Sequence, residues 1–147
     1  MADQLTGQTV ELLQTLIRNA CVNDGHPHSG HEFRSADTLQ AFLEGAGLAI
    51  ELFEPTPGRV SLVSRIQGTD PTAPSLCLMG HTDVVTVDPK KWTFPPFGGT
   101  VDGGYVYGRG TVDDKDNLVA GLMLVLQLHR TKAGLDRDVI LLAESGE

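Results

Sequence analysis

The chain has 147 residues, about the length of one domain and enough to bury a core without disulfides or a structural metal. Its composition is that of an ordinary globular protein, 40% hydrophobic and 20% charged, and its net charge of -8 comes from 19 acids against 11 bases. That balance speaks against a nucleic-acid binder, which would carry a basic face, and no apolar run comes near the ~20 residues that span a membrane.

Residues 5–20 place Val10, Leu12, Leu13, Leu16 and Ile17 at helical spacing, with Thr6 or Thr9 as a cap. Residues 23–30 read as a loop. His26, His28 and His31 fall in or beside it, and the loop setting favours an exposed segment over a metal site. Residues 32–46 form a second helix, with Phe33, Ala36, Leu39, Phe42 and Leu43 on one side and Gly45 and Gly47 as its stop. Strands follow at 49–54 and, after Pro55-Thr56-Pro57-Gly58, at 60–66. The run Ser75-Leu76-Cys77-Leu78-Met79 reads as a buried strand that delivers His81 at its C-terminal end, which makes Cys21 and Cys77 two reduced, buried thiols. Residues 88–99 are an irregular loop in which Trp92 serves as an anchor on the core. Residues 101–107 hold an Asp-Gly-Gly turn and a short strand closing on Gly108-Arg109-Gly110. The clearest helix is 117–130, with Leu118, Leu122, Val125, Leu126 and His129 on one stripe and Gly134 as its stop; 139–143 is a last buried strand. The order of elements is an α/β pattern, and such sheets place their sites at the C-terminal ends of strands.

Three segments carry chemistry. In extended backbone His81 and Asp83 point to the same side, so the carboxylate can orient the imidazole as the partner behind a metal-ligating histidine does. Asp113 lies between the glycine-bracketed Arg109 and the long helix. One acid suffices to cap a helix, and Asp113, Asp114 and Asp116 exceed that need, so a bridging ligand and an N-cap are both open readings. Glu144-Ser145-Gly146-Glu147 follows an apolar strand, where a glutamate suits a general base or a zinc ligand, or else a solvated turn.

Gly80-His81-Thr82-Asp83-Val84-Val85, Trp92 with Pro96-Phe97, Tyr107 to Lys115, and the strand leading to Glu147 together resemble the dinuclear zinc amidohydrolases that include aminoacylase, carboxypeptidase G, acetylornithine deacetylase and succinyl-diaminopimelate desuccinylase. The resemblance covers essentially the whole chain. It implies a zinc-peptidase-like catalytic domain, a mixed sheet flanked by helices, of which residues 1–147 are the N-terminal portion. It implies His81 and Asp113 as zinc ligands, Asp113 bridging two ions across a cis Asp113-Asp114 bond, with Asp83 orienting the site. Glu147 aligns with the first of the family's paired glutamates, the general base. Asp114 and Asp116 stand where the family usually has Met and Gly.

From the resemblance follows a hydrolase of amide bonds in N-acyl amino acids or small peptides with a free carboxylate. It would use two Zn2+ ions, with cobalt or manganese as alternatives, and the complete protein would have a lid domain often used for homodimerisation. The chain stops within the glutamate motif, so it is expected to be a truncation that is itself inactive. A degenerate binding or regulatory module, or a truncated gene product, is the alternative. A cytoplasmic protein with no nucleic-acid or membrane partner is expected.

Overall fold

The computed structural model describes residues 2–146, with side chains from residue 4 onward. Three helices, α1 (Ala2–Arg18), α2 (Phe33–Gly45) and α3 (Asp116–Arg130), pack against a four-stranded sheet. The strands are β1 (Ile50–Thr56), β2 (Arg59–Ile66), β3 (Leu76–His81) and β6 (Val139–Glu144), in the order β1-β2-β6-β3. β1–β2 and β2–β6 are antiparallel, and β6–β3 is parallel, so the sheet is mixed. A separate hairpin, β4 (Thr100–Asp102) with β5 (Tyr105–Tyr107), turns at Gly103-Gly104.

Period-2 burial fixes which sheet face meets the helices. Val60, Leu62 and Ser64 of β2 and Val139, Leu141 and Ala143 of β6 are buried, with intermediate residues between them. Register pairs Leu62 with Ala143 and Ser64 with Leu141, so these side chains share one face. Onto it α1 sends Leu12, Leu13, Leu16 and Ile17, α2 sends Leu39 and Leu43, and α3 sends Leu118, Leu122, Val125 and Leu126. Each Leu so buried contributes about 1.5–3 kcal/mol by area. Among the described residues, no helix is long and apolar enough to cross a membrane.

Several expectations need correcting. α1 begins before Thr6 and Thr9, so neither caps it; Thr9 instead donates back to the Leu5 carbonyl at 2.8 Å. The buried side of α2 is Ser35, Ala36, Leu39 and Leu43, whereas Phe33 is exposed at the helix start against the His31 ring. α3 stops at Arg130, and the left-handed residue beyond it is Lys132 (φ 50°), not Gly134. β3 is an edge strand, because β6 is its one partner among the described residues. Leu76, Cys77 and Met79 are therefore exposed rather than buried. Cys21 is fully buried with its Sγ 3.3 Å from Ser35 Oγ, and burial pushes its thiol up.

Candidate functional site

β3 and β6 run side by side and end together, with His81 opposite Glu144 in the register. Past the strand end the Thr82 N–H still donates to the Glu144 carbonyl (2.8 Å), and the Val84 N–H to Cys21 (2.9 Å). This continued pairing holds His81 and Asp83 in extended backbone, so both side chains face the same way, as their spacing predicts. Gly80 lets α3 and Asp114 come close: a Cβ there would lie 2.7 Å from Asp114 Oδ2 and 3.0 Å from Leu118 Cβ.

Asp113 arrives from the other direction, on the turn Thr111–Lys115 that leads into α3. Its backbone is not helical (φ -131°, ψ 94°), and the Asp113-Asp114 peptide bond is cis, as the resemblance implies. Gly110, at φ 83°, starts this turn. A Cβ on it would run into the Val84 side chain and lie 3.2 Å from Lys115 Nζ. Gly110→Ala is therefore expected to lower stability by at least ~1–2 kcal/mol from the left-handed backbone alone, read as a fall in thermal melting midpoint. An unchanged midpoint would show that the turn can relax away from both neighbours.

The three predicted side chains meet. His81 Nδ1 is 2.9 Å from Asp83 Oδ1, and His81 Nε2 is 3.0 Å from Asp113 Oδ1. A carboxylate only accepts, so Nδ1 carries its proton toward Asp83 and Nε2 turns its other site to Asp113. A proton or a cation belongs between Nε2 and the Asp113 oxygen, since two lone pairs would otherwise oppose each other. The Asp83 side chain is 5% exposed and the Asp113 side chain 81%. The first is thus a fixed partner behind the ring, and the second an acid open to whatever enters. Asp113 does not cap α3: no side chain caps at Lys115, and the Asn117 N–H goes to Asp116 Oδ1 at 2.7 Å.

His81, Asp83, Val84, Val85, Arg109 and Asp113 line a pocket of about 30 Å³, room for a water or an ion but not for an amide substrate. Arg109, one of these lining residues, holds its guanidinium 5.4 Å from the centre of the Trp92 ring. The donor set fits zinc in kind, an imidazole nitrogen and a carboxylate oxygen. Among the described residues, no group of three or more His, Cys, Asp or Glu side chains closes on one point. Glu147 lies outside the described residues. His26, His28 and His31 are exposed on their loop.

Four site residues escaped the sequence reading. Asn23 donates to Asp83 Oδ2 at 2.8 Å. Lys115, 1% exposed, donates from Nζ to the Thr82 carbonyl at 2.7 Å; burial pushes its ammonium down, while the nearby acids and Cys21 pull it back. Arg59 lies 3.7 Å from Asp83 Oδ2 and 2.7 Å from the fully buried Glu32. Two of these had a sequence signal in the family resemblance: Lys115, two residues after Asp113, and Arg59, which stands with Arg65 where the family has them. The rest are long-range pairs that no local spacing announces.

Residues 77–147 match the model of peptidase family M20/M25/M40. A Staphylococcus epidermidis protein named "Probable succinyl-diaminopimelate desuccinylase" is 32% identical over 139 residues, 94% of this chain and 32% of that protein. The succinyl-diaminopimelate desuccinylase of Caulobacter vibrioides is 38% identical over 112 residues, 76% of this chain and 26% of that protein. In fold, the chain matches the di-peptidase Dug1p from Saccharomyces cerevisiae with a TM-score of 0.75 at 23% identity, over 97% of this chain and 32% of that one. The chain thus spans about a third or less of the length of these relatives. The matched segment holds His81, Asp83, Asp113 and Lys115, the residues that the fold brings to one strand end. The segment that carries His81, Asp83 and Asp113 thus matches peptidase family M20/M25/M40, and relatives named as desuccinylases match across most of the chain.

Proposed function

We propose that the full natural protein hydrolyses amide bonds of N-acyl amino acids or small peptides with two zinc ions, cobalt or manganese being alternatives. The observation that carries this reading is His81 held between Asp83 behind it and the open Asp113 before it. His81 Nε2 and Asp113 Oδ1 would hold metal. When bound, it supplies Lewis acidity toward an amide carbonyl and acidifies water. Asp83 keeps the imidazole in the tautomer that leaves Nε2 for the ligand position. Glu147 takes a proton from the attacking water and delivers it to the departing amine nitrogen. A substrate with a free carboxylate and a homodimer are part of the same proposal and rest on the family resemblance; a cytoplasmic setting is proposed with them as the default.

With two inward donors among the described residues, residues 1–147 alone are expected to hold zinc weakly and to turn over no substrate. The test uses the full natural protein, stripped of metal and reloaded with zinc, against a panel of N-acyl amino acids and dipeptides. Turnover of ~1 per second or faster is expected, with His81→Ala at least ~100-fold slower. Zinc binding that depends on His81, with no turnover of any amide, would instead support a non-catalytic binding module.

A further inference from the structure

Arg59 occupies a position that neither the mechanism above nor ordinary packing explains. It is the first residue of β2, directly after the Pro57-Gly58 turn, and the Phe33 N–H donates to the Gly58 carbonyl at 3.1 Å. That bond ties the start of α2 to the turn and sets Glu32, the residue before the helix, against Arg59. The Arg59 Nε–Glu32 Oε2 distance is 2.7 Å. Glu32 is 0% exposed, and neither of its carboxylate oxygens has an aligned hydrogen bond. Gly30 makes room for it, because a Cβ there would strike the carboxylate. Burial pushes the Glu32 carboxyl up, and the guanidinium offsets part of that.

A buried ion pair so poorly satisfied is weak as a stabilising device, since desolvation consumes most of the attraction. Its value must lie in what it holds. The far side of the same guanidinium faces the site: Nη2 lies 3.7 Å from Asp83 Oδ2 and 3.4 Å from the Ser145 carbonyl. Gly146 completes the junction, because a Cβ there would meet Arg59 Nη2 and sit 2.7 Å from Asp83 Oδ2. Arg59 therefore touches a fixed anion behind it, the carboxylate that orients His81, and the backbone that leads to Glu147.

We infer that Arg59 is a positioning residue: buried Glu32 fixes its guanidinium, which holds Asp83 with Oδ1 on His81 Nδ1 and ties the strand end carrying the glutamate motif to the histidine. The inference rests on the reading of His81 as a metal ligand. Without Arg59, Asp83 keeps Asn23 on Oδ2 but loses its nearest cation, and the carboxylate is free to turn from the ring.

Two variants of the full natural protein test it. Arg59→Met combined with Glu32→Gln removes the cation without stranding a buried charge, and Arg59→Lys keeps the charge but not the fork. Three quantities are read: zinc affinity by competition with a chelator, the Nδ1–H of His81 in the zinc-loaded protein by NMR of 15N-labelled histidine, and the melting midpoint. The double variant is expected to fold, to bind zinc about 10- to 100-fold more weakly, and to show a His81 Nδ1–H signal that exchanges faster with water than the wild type's. Arg59→Lys is expected to recover part of the affinity. Unchanged affinity and Nδ1–H signal in a folded double variant overturn the inference alone. So does failure of both variants to fold, which would make Arg59 a residue of the core. Equal zinc affinity in wild type and His81→Ala overturns the metal reading itself, and this inference with it.

Discussion

Asp113→Ala is expected to strip most of the bound metal from the full natural protein, while Asp114→Ala leaves it in place. The two acids are neighbours and differ in what they face. Asp113 puts Oδ1 3.0 Å from His81 Nε2 with its side chain 81% exposed, so nothing in the chain claims its second oxygen among the described residues. Asp114 sets Oδ2 beside Gly80 and lies in the field of buried Lys115. A carboxylate with one oxygen on a histidine and the other open can hold a cation; one set beside a glycine, in the field of a buried ammonium, balances charge. Loss of an N-cap costs only ~1 kcal/mol and touches no metal, and Asp113 makes no cap bond, so Asp113→Ala should leave the melting point of the metal-free protein nearly unchanged. Metal analysis and melts on both variants settle the assignment. Two zinc ions retained by Asp113→Ala and lost by Asp114→Ala would show that the register is wrong by one residue.

What could be read in the sequence was set by the range of the interaction. Leu118, Leu122, Val125 and Leu126 recur at helical spacing and are buried in α3, because a helix writes its buried side into its own sequence. His81 and Asp83 share a face for the same local reason. The convergence of Asp113 on His81, 32 residues away, came from the family pattern and not from any period. β3 shows the limit from the other side. The run from Leu76 to Met79 is apolar enough for a buried strand, but burial depends on which strands lie beside it, and among the described residues β6 alone does. Phe33 fits the apolar side of α2 by spacing, yet it stands at the first turn beyond the edge of the core, where Glu32 and Ser35 are buried instead. Glu32 is hidden for a deeper reason. A lone acid before a helix reads as a solvated start, and only the long-range contact with Arg59 shows that it is inside.

Glu147→Gln is expected to leave about two zinc ions on each full natural chain while lowering the catalytic rate by at least ~100-fold. The argument begins at the end of β6. Glu144 sits opposite His81 in the parallel register, and its carbonyl accepts from both the N–H and the hydroxyl of Thr82. The Ser145 N–H donates to Ser61 Oγ at 3.0 Å, its carbonyl accepts from Arg59, and Gly146 lies against Arg59 and Asp83. Each residue from Glu144 to Gly146 is thus fixed to the framework that holds His81. A glutamate carboxylate can take a proton from water, and its amide isostere can fill the same space without doing so. The metal donors, His81 and Asp113, are untouched by the change. Rate loss with full metal content assigns Glu147 as the base. Loss of metal together with rate would make Glu147 a ligand, and the base would then have to be sought one residue away in the glutamate pair.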